Sequence, residues 1–319
     1  MKITVIGCGR WGTFLTWYLH RTGHETTLYG RKNSARFSLL KQTRTNGMVV
    51  LDDQVKLLDD LAEAVRWAEI LVISVACQQL RCLMEQLAQY DFSSKKIVLC
   101  MKGIEVESGK RLTEVVSEFL PNQTSVAVWV GPGHVQDFLA GIPNCMVIDS
   151  KDENLKKMLV ESFSSDLIRF YYGHDLIGNE IGAASKNVIG IAAGMLDGLG
   201  KTALKGALMS RGTREIARLI QAMGGKEISA YGLAHLGDYQ ATVFSEYSHN
   251  RAFGESFVTG KPYGDLAEGV ATTAALRKLE QKYGVELPIC EAIYSVLYEK
   301  RDAETVLSEL FLRSLKQEF

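Results

Sequence analysis

Two different hydrophobic rhythms divide the chain. Through the first half, short β-branched and aliphatic runs alternate with amphipathic stretches; through the second, apolar positions recur at helical spacing almost without interruption. Residues 3–6, 25–29, 69–75, 97–101, 125–130, 146–148 and 167–171 read as strands. The run EILVISV at 69–75 is nearly all apolar, which marks a strand buried on both faces of a parallel sheet. Amphipathic helices fall around 80–87 and 112–120, and another follows Gly12 with Phe14, Leu15, Tyr18 and Leu19 on one face. The α/β rhythm stops near His174. Helices are then predicted roughly over 176–196, 203–223, 238–246, 250–258, 268–283, 288–299 and 302–315. The expected organisation is a doubly wound sheet domain over residues 1–173 and an all-helical domain over 174–319. In that arrangement the helical half caps the open edge of the sheet domain, and the crevice between them is the expected substrate site.

A glycine-rich turn gives the first domain its chemistry. Gly7-Cys8-Gly9-Arg10-Trp11-Gly12 follows the first strand at once and opens a helix, the context in which GxGxxG signals a Rossmann-type dinucleotide site rather than a packing turn. The first glycine permits the tight turn, the second lets a pyrophosphate approach the backbone, and the third lets helix and strand pack. The phosphates are expected on the helix N-terminus. After the second strand, where an NAD site usually places Asp or Glu, the chain has Gly30-Arg31-Lys32-Asn33-Ser34. Arg31 and Lys32 suit a 2′-phosphate, so NADP is the expected cofactor and NAD the alternative; a solvated basic loop is the plainer explanation. Lys102 and the run Gly131-Pro132-Gly133-His134 stand just after later strands, where ligands bind in open parallel sheets.

In the helical half, residues 179–194 (NEIGAASKNVIGIAAG) are small or aliphatic apart from Glu180, Lys186 and a few amides and hydroxyls. Such a helix is expected in the middle of a domain, where an ammonium is costly. Lys186 either serves as a proton carrier, or pairs with Glu180, or extends to solvent. Ser248-His249-Asn250-Arg251, ahead of a helix start, suits an anion, although capping alone explains Ser248 and Asn250. A lone histidine such as His249 is more often a hydrogen-bonded surface group than a catalyst.

Composition narrows the partners. With 319 residues, 46% hydrophobic, 23% charged and a net charge of -1, the chain has no basic excess for nucleic acid or an anionic membrane surface. No apolar run suits a bilayer, and the first residues run straight into a strand, so a cytoplasmic protein is expected, with a homodimer left open. The Asn122-Gln123-Thr124 sequon then carries no meaning. The six cysteines stand singly with no metal-ligand spacing, so reduced thiols and no metal site are expected.

Taken together, GCGRWGT at 7–13, MKGIE at 101–105, GPGH at 131–134, EIGAASKNVIGIAAGMLDGLG at 180–200, GLAHLGD at 232–238, SHNRAFG at 248–254 and AEGV at 267–270 resemble the bacterial NAD(P)-dependent glycerol-3-phosphate dehydrogenase family over nearly the whole chain. The resemblance implies reversible oxidation of sn-glycerol 3-phosphate to dihydroxyacetone phosphate, supplying glycerol phosphate for phospholipid synthesis. It implies that Lys186 is the proton acceptor in oxidation and that Lys102 touches both substrate and cofactor. Asp238, Ser248, Asn250 and Gly131 match substrate-binding positions; Trp11, Arg31, Leu266 and Glu268 match cofactor contacts. Lys186 is then expected to be partly neutral, through desolvation and a nearby Lys102, with Asn187 and Asp238 orienting it or the substrate hydroxyl. Ser248, Asn250 and a nearby cation would hold the phosphate. Three departures fall at the substrate end. His249 stands for the usual phosphate-gripping arginine, which leaves the grip to a protonated imidazole or to Arg251. Gly133 replaces a serine or threonine. The loop after DGLG, Lys201-Thr202-Ala203-Leu204-Lys205, is short and lacks a common asparagine. Other readings are a related dehydrogenase of a small hydroxy acid or phosphorylated alcohol, and a non-catalytic NADP(H) sensor.

Overall fold

A computed structural model describes residues 1–121 and 124–312. Asn122 and Gln123 of the sequon, and the end of the helix predicted over 302–315, lie outside the described residues. The chain forms two compact units, Met1–Lys102 with Lys110–Leu176, and Gly103–Gly109 with Ile177–Phe319.

The first unit is an eight-stranded sheet made of β1 (Lys2–Ile6), β2 (Glu25–Tyr29), β3 (Lys56–Leu58), β4 (Ile70–Ile73), β5 (Lys96–Leu99), β6 (Ser125–Val130), β7 (Asn144–Ser150) and β8 (Ile168–Tyr172). Their order across the sheet is β3-β2-β1-β4-β5-β6-β7-β8. Neighbours pair in parallel except β6 and β7, which are antiparallel. Helices α1 (Arg10–Arg21), α2 (Ala35–Thr43), α3 (Leu61–Trp67), α4 (Leu80–Leu87), α5 (Leu112–Ser117), α6 (Val135–Leu139) and α7 (Glu153–Phe163) connect them. All four residues of β4 are buried, as its unbroken apolar run requires. The doubly wound sheet expected from the sequence is therefore present, with the glycine-rich turn at the carboxyl end of its central strand. Strand β3 and helices α2, α3, α6 and α7 go beyond the sequence reading. The first has three residues, none of them buried, and α2 buries only Phe37 and Leu40, so neither shows a strong period. The reversal at β7 is a tertiary outcome: the connection over 131–143 holds only the five-residue α6, too little for a usual parallel crossover.

Where the first unit ends, a buried pair holds the chain. Lys156 donates to the Gly173 carbonyl at 2.7 Å and lies 3.6 Å from Asp149, whose other oxygen accepts from the Asp175 N–H at 3.0 Å. The backbone leading into the next helix is thereby fixed.

The second unit is helical: α8 (Leu176–Gly198), α9 (Lys205–Ala222), α10 (His249–Thr259), α11 (Glu268–Tyr283), α12 (Pro288–Tyr298) and α13 (Ala303–Phe311). Its boundary falls at 176/177 rather than 173/174, and it claims residues 103–109. The reason is packing: Ile104 is buried in the helical core and the Glu107 carbonyl accepts from Lys278 at 2.9 Å. Helix α8 is the axis of this unit, buried from Gly178 through Leu196. It crosses α10 with backbones in contact, since a Cβ at Gly194 would lie 1.9 Å from the Arg251 carbonyl and one at Gly254 would lie 2.1 Å from that of Ile191. Between 236 and 248 the predicted helix is replaced by a 3₁₀ turn (Leu236–Asp238) and one π-helical turn (Gln240–Phe244). No described helix is long and apolar enough to cross a membrane.

Glu215 of α9 is buried at the start of α12, accepting from the N–H groups of Ile289 (2.8 Å) and Cys290 (3.0 Å). Burial pushes its carboxyl up to about 7, and the two N–H donors only partly oppose this. A folded value above the unfolded one means that the proton stabilises the native state below about pH 4.5, and that this stabilisation is lost as pH rises through about 7. In chemical denaturation, the wild type should therefore lose about 3 kcal/mol between pH 4.5 and 8 relative to Glu215→Gln, whose stability should be flat in this comparison. Parallel curves for the two proteins would contradict it.

Candidate active site

Each unit carries candidate site residues of its own. In the first, β1 delivers the chain into a glycine turn fitted to a dinucleotide. Gly7 has φ +118, and a Cβ there would lie 2.1 Å from the Ser74 carbonyl; one at Gly12 would lie 1.8 Å from the Gly7 carbonyl. At Gly9, the N-cap of α1, nothing stands within 4 Å of the Cβ position. A backbone that is crowded at two glycines and open at the third leaves room for a pyrophosphate at the helix N-terminus. Arg10 and Trp11 begin that helix, and Trp11 packs on Phe14 with ring centroids 5.1 Å apart. Arg31 and Lys32 are exposed at the end of β2. Ser34 has a structural task, because its hydroxyl caps α2 by accepting from the Phe37 N–H at 3.3 Å.

The same unit joins Lys102 to the Gly131 loop: its ammonium donates to the Gly131 carbonyl at 2.6 Å. Gly133 adopts φ +143, and a Cβ there would lie 2.4 Å from the ring of Phe138, which is itself stacked on Phe14 at 5.1 Å. Any side chain at 133 would thus meet an aromatic that occupies its space.

In the second unit, Lys186 and Asp238 form a buried ion pair at 2.8 Å, with side chains 9% and 1% exposed. The lysine also donates to the Thr242 hydroxyl at 2.6 Å. Lys186 is therefore not turned to solvent, and an acid of the 3₁₀ turn is its ion-pair partner. An acid at this distance favours the charged form of an ammonium. Two residues here escaped the sequence reading. Thr242 lies four positions after Asp238, but a lone threonine in a predicted helix carries no signal until its partner is known. His235 is completely buried, with Nδ1 2.8 Å from the Gly182 carbonyl and Nε2 2.7 Å from the Tyr239 hydroxyl. Burial pulls its imidazole down to about 4, and the Lys186 ammonium adds to that; the Gly182 hydrogen bond opposes it. The ring is neutral, with Nδ1–H donating to the carbonyl and Nε2 accepting from the phenol.

Around them, Asn250 donates to Asn187 Oδ1 at 3.0 Å and accepts from the Gly269 N–H at 2.8 Å, joining α8 to α11. Ser248 caps α10, accepting from the Arg251 N–H at 3.3 Å. His249 Nδ1 lies 2.9 Å from the Tyr263 hydroxyl and 3.7 Å from Asp265. Arg251 is engaged within the unit. Its guanidinium is held by Asp197 (2.7 Å), Glu255 (3.1 Å) and the Ser245 carbonyl (3.1 Å). Lys205 of the short loop also binds Asp197, at 2.5 Å. That acid already has two cations, so the loop and α10 are locked together by charge. Leu266 is exposed, and Glu268 opens α11. Among the described residues, no group of three or more His, Cys, Asp or Glu is placed to hold a metal ion.

A Rossmann-type sheet with an open glycine cradle, followed by a helical unit with a buried lysine–aspartate pair, defines a dinucleotide-dependent oxidoreductase. Family models for the NAD-dependent glycerol-3-phosphate dehydrogenase N-terminus and C-terminus match residues 2–156 and 175–308. Glycerol-3-phosphate dehydrogenase [NAD(P)+] from Chlorobium phaeobacteroides is 35% identical over all of this chain and 99% of its own length, and that from Fusobacterium nucleatum 35% over all of this chain and 98% of its own. The crystal structure of glycerol-3-phosphate dehydrogenase from Coxiella burnetii superposes with a TM-score of 0.92 at 28% identity, covering 98% of this chain and 99% of that one. The chain belongs to the NAD-dependent glycerol-3-phosphate dehydrogenase family.

A serine hydroxyl restored at position 133 should meet the Phe138 ring and a left-handed backbone together. Gly133→Ser is expected to cost about 1–3 kcal/mol. In thermal melts, combining it with Phe138→Ala should cost less than the sum of the two single changes. Strict additivity would remove Phe138 as the cause.

Proposed function

We infer that this chain interconverts sn-glycerol 3-phosphate and dihydroxyacetone phosphate with NAD(P), supplying glycerol phosphate for phospholipid synthesis in the cytoplasm. The observation that carries the reading is the buried Lys186–Asp238 pair in a chain that matches this family from end to end. The cofactor supplies or removes the hydride; the protein supplies proton transfer, binding and orientation. In the reducing direction the Lys186 ammonium donates its proton to the carbonyl oxygen and stabilises the developing alkoxide. In oxidation the deprotonated amine accepts the hydroxyl proton, and Asp238 stabilises the ammonium that forms.

Roles are assigned to the other residues on the same footing. Gly7, Gly9, Arg10, Trp11 and Gly12 receive the dinucleotide phosphates, with Leu266 and Glu268 as further cofactor contacts from the helical unit. Lys102 serves cofactor and substrate, with Gly131 and Gly133 beside it. Ser248, His249 and Asn250 receive the substrate phosphate, and Asn187 orients Asn250. Arg251, bound to Asp197 and Glu255, holds α10 in place instead of the substrate.

Lys186→Met should lower kcat for dihydroxyacetone phosphate reduction by about a thousandfold or more, while NADPH binding, followed by fluorescence titration, stays near wild type. Unchanged turnover would end the assignment of Lys186. For the cofactor, NADPH should give a lower KM than NADH. Replacing Arg31 and Lys32 together by alanine should raise the NADPH KM about tenfold and leave the NADH KM within about threefold, as expected for lost charge-assisted phosphate contacts. Equal effects on both cofactors would assign the two cations to the surface.

A further inference from the structure

The buried histidine ahead of Asp238 has no part in the chemistry described above, and its geometry gives it one. His235 bridges two short backbone segments that must stay in register. Its own main chain leads into the 3₁₀ turn Leu236–Asp238, and its carbonyl accepts from the Asp238 N–H at 3.0 Å. Its side chain reaches α8 one turn before Lys186, where Nδ1–H donates to the Gly182 carbonyl at 2.8 Å. In an α-helix that carbonyl also accepts from the N–H of residue 186, so the imidazole grips the turn that carries the lysine. The approach is close, since a Cβ added to Gly182 would lie 3.0 Å from the His235 Cβ. Tyr239, on the other side of Asp238 in sequence, closes the ring of contacts. Its hydroxyl lies 2.7 Å from Nε2 and its ring meets the imidazole edge-on at 4.9 Å. A phenol donating to Nε2 keeps the proton on Nδ1, the tautomer that the Gly182 carbonyl needs.

We propose that His235 is a positioning residue that holds the Asp238 carboxylate against the Lys186 ammonium by stapling the Leu236–Asp238 turn to the α8 turn ahead of the lysine. Asp238 sits on a short irregular turn, which has little stiffness of its own, while Lys186 sits on a long, fully packed helix. A contact across which about 1 Å of slack would be felt needs an external brace. Hydrophobic filling alone would not fix the turn's orientation, whereas a hydrogen bond to a defined carbonyl does. The titratable and charged groups facing the imidazole are Lys186, Asp238 and Tyr239.

The inference rests on Lys186 as proton donor, and its test separates the two. His235→Leu keeps the volume and removes both nitrogens; His235→Asn restores an N–H near the place of Nδ1–H. For His235→Leu, kcat of dihydroxyacetone phosphate reduction should fall about ten- to a hundredfold, with the NADPH KM within about twofold of wild type. Because a slackened carboxylate stabilises the ammonium less, the basic limb of the kcat–pH profile should move to lower pH, a readout that simple loss of stability would not shift. His235→Asn should recover both properties to within about threefold of wild type. An unmoved limb in folded His235→Leu, or His235→Asn as impaired as the leucine variant, overturns the proposal. If His235→Leu does not fold, Tyr239→Phe takes its place: a smaller shift of the limb in the same direction supports the proposal, and an unchanged profile overturns it. Lys186→Met is run beside them. Wild-type turnover there overturns the reading of Lys186 and this inference with it, whereas an inactive Lys186→Met with an unmoved limb in His235→Leu overturns the inference alone.

Discussion

An ammonium inside a dry helix must be matched by an anion, and much of the helical unit follows from that requirement. Lys186 lies in a stretch of α8 buried from Gly178 to Leu196, with Asp238 at 2.8 Å. Such a pair is not primarily a source of stability. Removing one partner typically costs about 3–5 kcal/mol, because the other charge is left buried and unpaired, whereas replacing both with well-packed apolar groups is often neutral. A chain that keeps both groups holds an ammonium in a fixed place. The sheet unit has no comparable buried charge at its glycine turn; there the constraint is steric, and backbone is brought within contact distance of backbone.

The surroundings of the pair are mostly devices for holding backbone in place. Asn250 ties α8 to the start of α11, and Asp197 gathers Lys205 and Arg251 at the end of α8. His235 spans the gap between the turn of Asp238 and the helix of Lys186. Hydrogen bonds in low-dielectric surroundings are directional and costly to leave unmade, so they fix orientation where apolar packing would tolerate a slip. The residues read from sequence as the substrate end are each engaged within the protein. His249 is engaged with Tyr263 and Asp265, Gly133 yields its side-chain space to Phe138, and Arg251 is bound by acids.

Local pattern was enough to identify seven of the eight strands of the sheet, the glycine turn after the first of them, and a buried helix around Lys186. The reason is that each depends on residues close together in sequence: an apolar run, a spacing of three glycines, a series of small side chains. The family match over residues 2–156 and 175–308 likewise follows from motifs strung along the chain. Partnerships were beyond that reach. From sequence, Glu180, six residues from Lys186, was the acid in view; the pair with Asp238 exists only because folding brings the 3₁₀ turn onto α8. The contacts of Arg251 with Asp197 and Glu255 were likewise not legible in the sequence. The reversed strand β7, the transfer of residues 103–109 to the helical unit, and the role of His235 were equally hidden. They depend on contacts between segments far apart in the chain, whose energies arise only after the backbone has closed around them.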